Sequence, residues 1–299
     1  MYPKTGSGAD AVAKFHYYRV FRRDPVLRRH MPDTAICARD SLASFLDKYK
    51  TVYIKPNVGG RGEGVVKAWR SADGRILYVV EKGAPAACRS AAALWDRLGL
   101  AHKKRHVVQQ ALDLAEFGGR PYDIRVMMVR DPKDRWRFLG MLAKTAGPDS
   151  IITNIARGKG DVVEAERALK ASHGARWPRL AADILRLARR CNRMFDRIRY
   201  EWQMGYDFAV DKGGKVWLIE ANPGNPSHAL FAKLPDRTAY RRIKQAVREY
   251  RAAAAHRARH PARGTGKTGG GRTKGKTGGC RRAGRKTGRG RRTGRKAGG

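Results

Sequence analysis

The segment Asp207-Phe-Ala-Val-Asp-Lys-Gly-Gly-Lys-Val-Trp-Leu-Ile-Glu220-Ala-Asn222-Pro223 carries the clearest chemistry in this chain. In an extended strand Glu220 and Asn222 point to one face, with Trp217, Ile219 and Ala221 on the other. If Gly213-Gly214 forms a two-residue hairpin loop, Lys212 pairs with Lys215 and Asp207 falls directly opposite Glu220. Two carboxylates at one spot repel each other unless one is protonated or a cation sits between them. Asn222 beside them favours the cation. Three hard oxygen donors without His or Cys suit Mg²⁺, which takes its remaining ligands from phosphate and water. A solvated polar face on an edge hairpin is the plain alternative, and the apolar opposite face argues against it.

A second group precedes it: Tyr53-Ile54-Lys55-Pro56-Asn57-Val58-Gly59-Gly60-Arg61-Gly62-Glu63-Gly64. Gly59, Gly60, Gly62 and Gly64 let backbone N–H groups approach an anion closely, and Lys55 at a strand end supplies a point charge for a phosphate. An ordinary glycine-rich turn would read the same way. A third group is Asp123-Ile-Arg125, followed by Lys144 and by Asn154 in Asn-Ile-Ala-Arg-Gly-Lys-Gly. Asp123 and Arg125 share a strand face, where Arg125 would stabilise charge on a transferring phosphoryl group. For Asp123 a cross-strand salt bridge serves equally well.

These residues need elements to hold them. Residues 11–30 read as a basic amphipathic segment, 38–49 as a helix, and 51–55 as a strand entering the glycine loop, with a second strand leaving it over 64–69. Alternation over 75–81, helical spacing over 90–98 and extended chain over 106–110 complete a small mixed lobe. Strands at 124–129 and 136–144 form a hairpin around Asp131-Pro132-Lys133-Asp134. A long helix over 181–198 and the closing hairpin make a second lobe, and a last helix spans about 237–255.

In order and spacing the three groups resemble the ATP-grasp superfamily from about Thr51 to Asn225. The wording around Ile54-Lys55-Pro56-Asn57, Gln109-Gln110, Tyr122-Asp123-Ile124-Arg125, Ile152-Thr153-Asn154 and Leu218-Ile219-Glu220 is similar to its YheC/YheD endospore coat-associated group, known from spore-forming bacteria. The resemblance implies an α+β fold of two mixed lobes clamping ATP. Its phosphates would lie under Gly59 to Gly64 and against Lys55, and its adenine would meet the backbone of Gln109, Gln110, Ala111 and Leu112, with Lys82 or Glu81 near by. Asp207, Glu220 and Asn222 would hold Mg²⁺, with Arg125 and Lys144 catalytic and Asn154 among the nucleotide contacts. Superfamily enzymes usually phosphorylate a carboxylate and let an amine or similar nucleophile displace the phosphate. Many also carry a substantial domain before the grasp, where this chain has about fifty residues, and an upstream phosphate-binding lysine, for which Lys14 or Arg19 is the candidate.

The expected organisation is a short helical segment over 1–50, the grasp over 51–255, and a tail over 256–299. Residues 261–299 hold fourteen Lys or Arg, no acid and repeated Lys/Arg-Thr-Gly triplets, so they are expected to be disordered and to bind nucleic acid or another polyanion. The overall charge is +39, of which +25 lies on residues 1–260, so the globular part is itself basic. Gly270 to Thr277 match a P-loop literally, but glycine-rich flanks replace the strand and helix that a P-loop needs. His102 and His106 bracket Lys103-Lys104-Arg105, whose charges oppose a metal. Four scattered cysteines give neither a zinc nor a disulfide pattern. Without a signal-peptide pattern or an apolar run of the ~18 residues that span a bilayer, the chain is expected to be cytoplasmic, and by resemblance associated with the developing spore.

Overall fold

The computed structural model describes residues 13–59, 62–103, 105–148, 150, 151, 153, 159–224 and 226–259. The expectations for Gly60, Asn154 and residues 261–299 lie outside the described residues.

The first lobe is an antiparallel sheet in the order β1 (Thr34–Ile36), β6 (His106–Gln110), β2 (Thr51–Pro56), β3 (Val66–Arg70), β4 (Ile76–Val80), β5 (Ala86–Cys88). Period-two alternation decides its faces. Val52, Ile54 and Val108 turn inward against Leu42 and Leu46 of α3 (Arg39–Tyr49) and Leu94 of α4 (Ala91–Arg97). That leaves Tyr53, Lys55 and Gln109 on the other face. The stretch before Thr51 thus supplies an edge strand and a packing helix to this lobe.

The second sheet runs β10 (Val162–Glu164), β9 (Trp136–Thr145), β8 (Arg120–Arg130), β11 (Gln203–Val210), β12 (Val216–Pro223), with β7 (Glu116–Phe117) against β8. One face packs on a large core. Ile124, Val126 and Met128 of β8 and Tyr206, Phe208 and Val210 of β11 meet Ile184, Leu187, Cys191 and Phe195 of α6 (Trp177–Phe195). Helices α1 (Lys14–Phe21), α2 (Pro25–Arg29) and α5 (Ala165–His173) join that core. The other face divides along β8. Met127 and Val129 are covered by Ile243 and Val247 of α7 (Thr238–Arg259), while Asp123 and Arg125, on the same side of the strand, extend beyond that core. The predicted hairpins and long helices are present. Short elements without a strong period, β1, β5, β7, β10 and α5, were not legible.

Candidate nucleotide cleft

A cavity of about 220 Å³ separates the exposed faces of the two sheets. Tyr53, Lys55, Gln109 and Gln110 line it from the first lobe, and Asp123, Arg125, Lys144, Asp207 and Ala209 from the second. Gly59 and Gly62, Leu112 and Leu114, Ile151 and Thr153, and Ile219, Glu220 and Asn222 also face it.

Register explains the polar cluster. Asp207 is the cross-strand partner of Arg125 on one side and of Glu220 on the other, and Asp123 is that of Lys144. Arg125 donates from Nε and Nη2 to the two Asp207 oxygens at 2.6 and 2.9 Å, a bidentate fork. Lys144 Nζ bridges Asp123 Oδ1 at 2.8 Å and Asp207 Oδ1 at 3.2 Å, and Asn222 Nδ2 donates to Asp207 Oδ2 at 3.3 Å. Thr153 Oγ1 donates to Asp123. Gly205 makes the fork possible: an added Cβ would lie 2.9 Å from Pro226 Cβ and 3.5 Å from Arg125 Cδ.

The ionisation states follow from burial set against these neighbours. Burial alone would raise Asp207, but Arg125 and Lys144 hold it well below the usual carboxylate range. Burial would lower Arg125 and Lys144, and their carboxylate partners outweigh it, keeping both charged. Asp123 goes the other way, pushed up to about 6 by burial and, against the pull of Lys144, by Asp207. Burial lowers Lys55 to about 8, with Glu220 opposing and Lys14 assisting. Its Nζ rests 2.6 Å from Gln109 Oε1, and Gln109 in turn donates to Thr34 Oγ1 at 2.9 Å.

The expected register of Asp207 against Glu220 is present, but by a different route. Asp211, not Lys212, closes the turn, accepting from Gly214 N at 2.9 Å and donating to Lys215 O at 3.0 Å, with Gly214 at φ +87°. That shifts the ladder by one residue, pairing Phe208 with Leu218, until a bulge between Asp207 and Phe208 restores the Asp207–Glu220 pair. Strand phase therefore changes. Ile219 lines the cavity beside Glu220, and Trp217 pairs with the cavity residue Ala209, whereas Val216 and Leu218 enter the core, which corrects the expected placement of Trp217 and Ile219 on the opposite face.

Lys14, rather than Arg19, reaches the cavity; Arg19 is exposed on α1. Asn57 of the glycine-loop strand delivers Lys14, accepting from Lys14 N through its carbonyl at 2.8 Å and from Phe15 N through Oδ1 at 2.9 Å, two of the free N–H groups at the start of α1. Lys14 Nζ then contacts Gly59 O at 2.5 Å and Glu220 Oε1 at 3.2 Å, spanning both lobes. Gly59, Gly62 and Gly64 all have positive φ, and Gly64 N donates to Glu81 Oε1 at 2.7 Å. Glu81 is thus an anchor of the loop, and neither it nor Lys82 lines the cavity. Ala111 does not line it either: its N–H is given to Thr51 O at 3.2 Å.

Tyr53, Thr153, Ala209 and Ile219 are cavity residues outside the set expected from the motifs, and Asp123, read from its motif as serving a salt bridge equally well, lines the cavity while paired with Lys144. Period two from Lys55 and Asp207 finds Tyr53 and Ala209; nothing in the sequence announces the bulge that exposes Ile219. Among the described residues no group of three or more His, Cys, Asp or Glu side chains forms a ready metal cage. Glu220, Asn222 and Asp207 are hard oxygen donors on one wall, the chemistry that Mg²⁺ accepts in small number when phosphate and water complete its shell.

A family model described as YheC/D like ATP-grasp matches residues 7–253. The endospore coat-associated protein YheD of Bacillus subtilis (strain 168) is 27% identical over 238 residues, covering 73% of this chain and 49% of its own length. The endospore coat-associated protein YheC of the same organism is 22% identical over 236 residues, covering 76% of this chain and 64% of its own length. The chain therefore spans about half to two thirds of these curated relatives. A crystal structure of the ADP complex of purK, N5-carboxyaminoimidazole ribonucleotide synthetase, aligns over 73% of this chain and 46% of its own with a TM-score of 0.44 and 12% identity, a likeness too loose to carry an argument.

Proposed function

This chain belongs to the YheC/D-like ATP-grasp family, and from that membership we propose that it is an ATP- and Mg²⁺-dependent ligase that activates a carboxylate. The observation that carries the proposal is the convergence of four cations, Lys14, Lys55, Arg125 and Lys144, with the oxygen donors Asp207, Glu220 and Asn222 on one cavity between two lobes. A purely structural scaffold has no use for so many desolvated charges facing one space.

In this reading Lys55 and Lys14 meet the phosphates beside the glycine loop, and Gln110, Leu112, Leu114 and Ile219 flank the base. Arg125 and Lys144, fixed by Asp207, stand where negative charge spreads over the transferring phosphoryl group. Glu220, Asn222 and Asp207 would hold Mg²⁺, which when bound neutralises phosphate charge. The substrate carboxylate oxygen attacks the γ-phosphorus, ADP leaves, and an amine or similar nucleophile then displaces inorganic phosphate from the acyl carbon. Association with the spore is proposed from the names of the two curated relatives, and a cytoplasmic site of action from the sequence. No helix among the described residues is long and apolar enough to cross a membrane.

The test is ADP release from ATP and Mg²⁺ in the presence of candidate carboxylates. Glu220→Gln is expected to lower turnover at least about tenfold while changing nucleotide affinity less, since its loss acts on the transition state more than on binding. Equal losses in both would make Glu220 a binding residue. A second reading, a polyanion-binding protein on an ATP-grasp scaffold, is favoured by the net charge of +39. Absence of ADP release with every carboxylate, alongside intact ATP binding, would select it.

A further inference from the structure

Helix α7 buries one face and presents cations on the other. Ile243, Ala246, Val247 and Tyr250 are buried. Arg241, Lys244, Arg248 and Arg251 are exposed at successive spacings of three, four and three residues. They form one stripe about 15 Å long at about 1.5 Å per residue. Among the described residues none of the four forms a salt bridge with a carboxylate, although Arg241 donates to Thr238 Oγ1 at 3.1 Å and its charge acts on Asp236. Glu249, the single acid on the helix, accepts from Gln245 Nε2 at 2.8 Å and lies 3.9 Å from Arg137. Half-buried rings accompany the stripe. Lys244 Nζ is 5.6 Å from the Tyr240 ring centroid, and the Arg251 guanidinium is 5.4 Å from that of Trp202. Trp202 is backed by Tyr250, stacked at 5.0 Å and 7°. The field of the stripe reaches the neighbouring loop: burial first, then Lys244 and Arg251, hold His228 below the usual imidazole range.

We propose that this face of α7 binds single-stranded nucleic acid: as the four cations turn to the phosphates, Lys244 and Arg251 uncover the ring faces of Tyr240 and Trp202 to bases, while the neighbouring His228 and Tyr250 rings support them from within the fold. Cations alone would suit any polyanion. Rings set among them add affinity only for a strand whose bases are unstacked, because a duplex hides its base faces. A second arginine-rich surface serves as the comparison. On α6 and just beyond it Arg186, Arg189, Arg193 and Arg197 are also exposed, but Arg186 is engaged by Asp183 at 2.9 Å, and among the described residues no ring lies beneath any of the four.

The test uses the full chain and a fluorescein-labelled 20-nucleotide oligothymidylate near physiological salt. Changing Arg241, Lys244, Arg248 and Arg251 together to Gln is expected to weaken binding at least about tenfold. The slope of log affinity against log salt should shrink by about three, four contacts at about 0.7 each on a single strand. The same four-charge change on α6 should weaken binding less than about threefold. An abasic strand of equal length should bind at least about fivefold more weakly than oligothymidylate. Equal losses in the two quadruple variants, no loss in the α7 variant, or equal affinity for the abasic strand would each overturn the proposal. Should the α7 quadruple variant fail to fold, the single exposed change Arg248→Gln must still reduce the salt slope by about 0.7, and an unchanged slope counts against the site.

Discussion

Lys55 and Asp207 show how far a residue type and its neighbours fix behaviour. Lys55 sits at about 8 in the folded protein, below the ordinary lysine value, because burial outweighs Glu220. A folded pKa below the unfolded one means that stability is reduced under pH 8 and recovers as pH rises from about 8 toward the unfolded value. If Lys55 meets a phosphate, the anion raises that pKa, so binding takes up a proton near pH 8 and ATP affinity falls as pH rises through it. Calorimetry in buffers of different ionisation enthalpy should record this uptake, and Lys55→Ala should abolish it while weakening ATP binding. Unchanged affinity in a folded variant would make Lys55 structural. Asp207 is the opposite case, with a depressed pKa whose stabilising effect is present above the unfolded carboxylate value and lost as acid approaches the folded one. Asp207→Asn leaves the buried Arg125 charge with a neutral partner and Lys144 with Asp123 alone, and denaturant unfolding should show a loss of about 3–5 kcal/mol. Lys55, Asp207 and Glu220 were legible because charge at the end of an apolar strand is conspicuous. Gly205 was not, since its role is the absence of a side chain where Arg125 and Pro226 meet.

At the scale of elements, alternation and helical period were enough to place the strands that carry Lys55, Arg125, Asp207 and Glu220, because each has one apolar face against a helix. What alternation does not carry is a bulge, and the extra residue at Ile219 is compensated by the turn at Asp211, so two departures cancel in the register of the carboxylates. Helix α1 is the element whose position was least legible. Its Tyr17 and Phe21 rings lie 5.1 and 5.9 Å from that of Phe195, and its first turn is held by Asn57. It therefore ties the glycine-loop strand of one lobe to the core of the other. Phe195→Ala should cost about 3–5 kcal/mol in thermal or denaturant unfolding through the lost burial and cavity. Asn57→Ala should cost only about 1 kcal/mol, the loss of a helix cap, yet weaken ATP binding by displacing Lys14. If both variants lose affinity only in proportion to stability, α1 is a structural brace and Lys14 is not a ligand.

For the whole molecule the division of charge matters more than its total. Residues 261–299 contribute fourteen cations with no acid and no aromatic side chain, whereas the cations of the cleft are paired or held by specific oxygens. The first arrangement fits sequence-independent contact with phosphates, each charge acting separately, and the second fits a defined nucleotide. Deleting residues 261–299 should therefore leave the ATP-induced rise in melting temperature intact, about 2.7 kcal/mol of stabilisation at a hundredfold excess over Kd. The same deletion should strip most affinity for duplex DNA near physiological salt. The full chain should lose duplex affinity steeply with added salt, with a log-log slope of about −0.9 per neutralised phosphate, and the truncated chain should show a much shallower slope. Base stacking plays no part in this, so a heparin-like polyanion should compete with the duplex at matched charge. Equal duplex affinity and slope with and without the segment would return the interaction to residues 1–260, which carry +25 of the charge themselves.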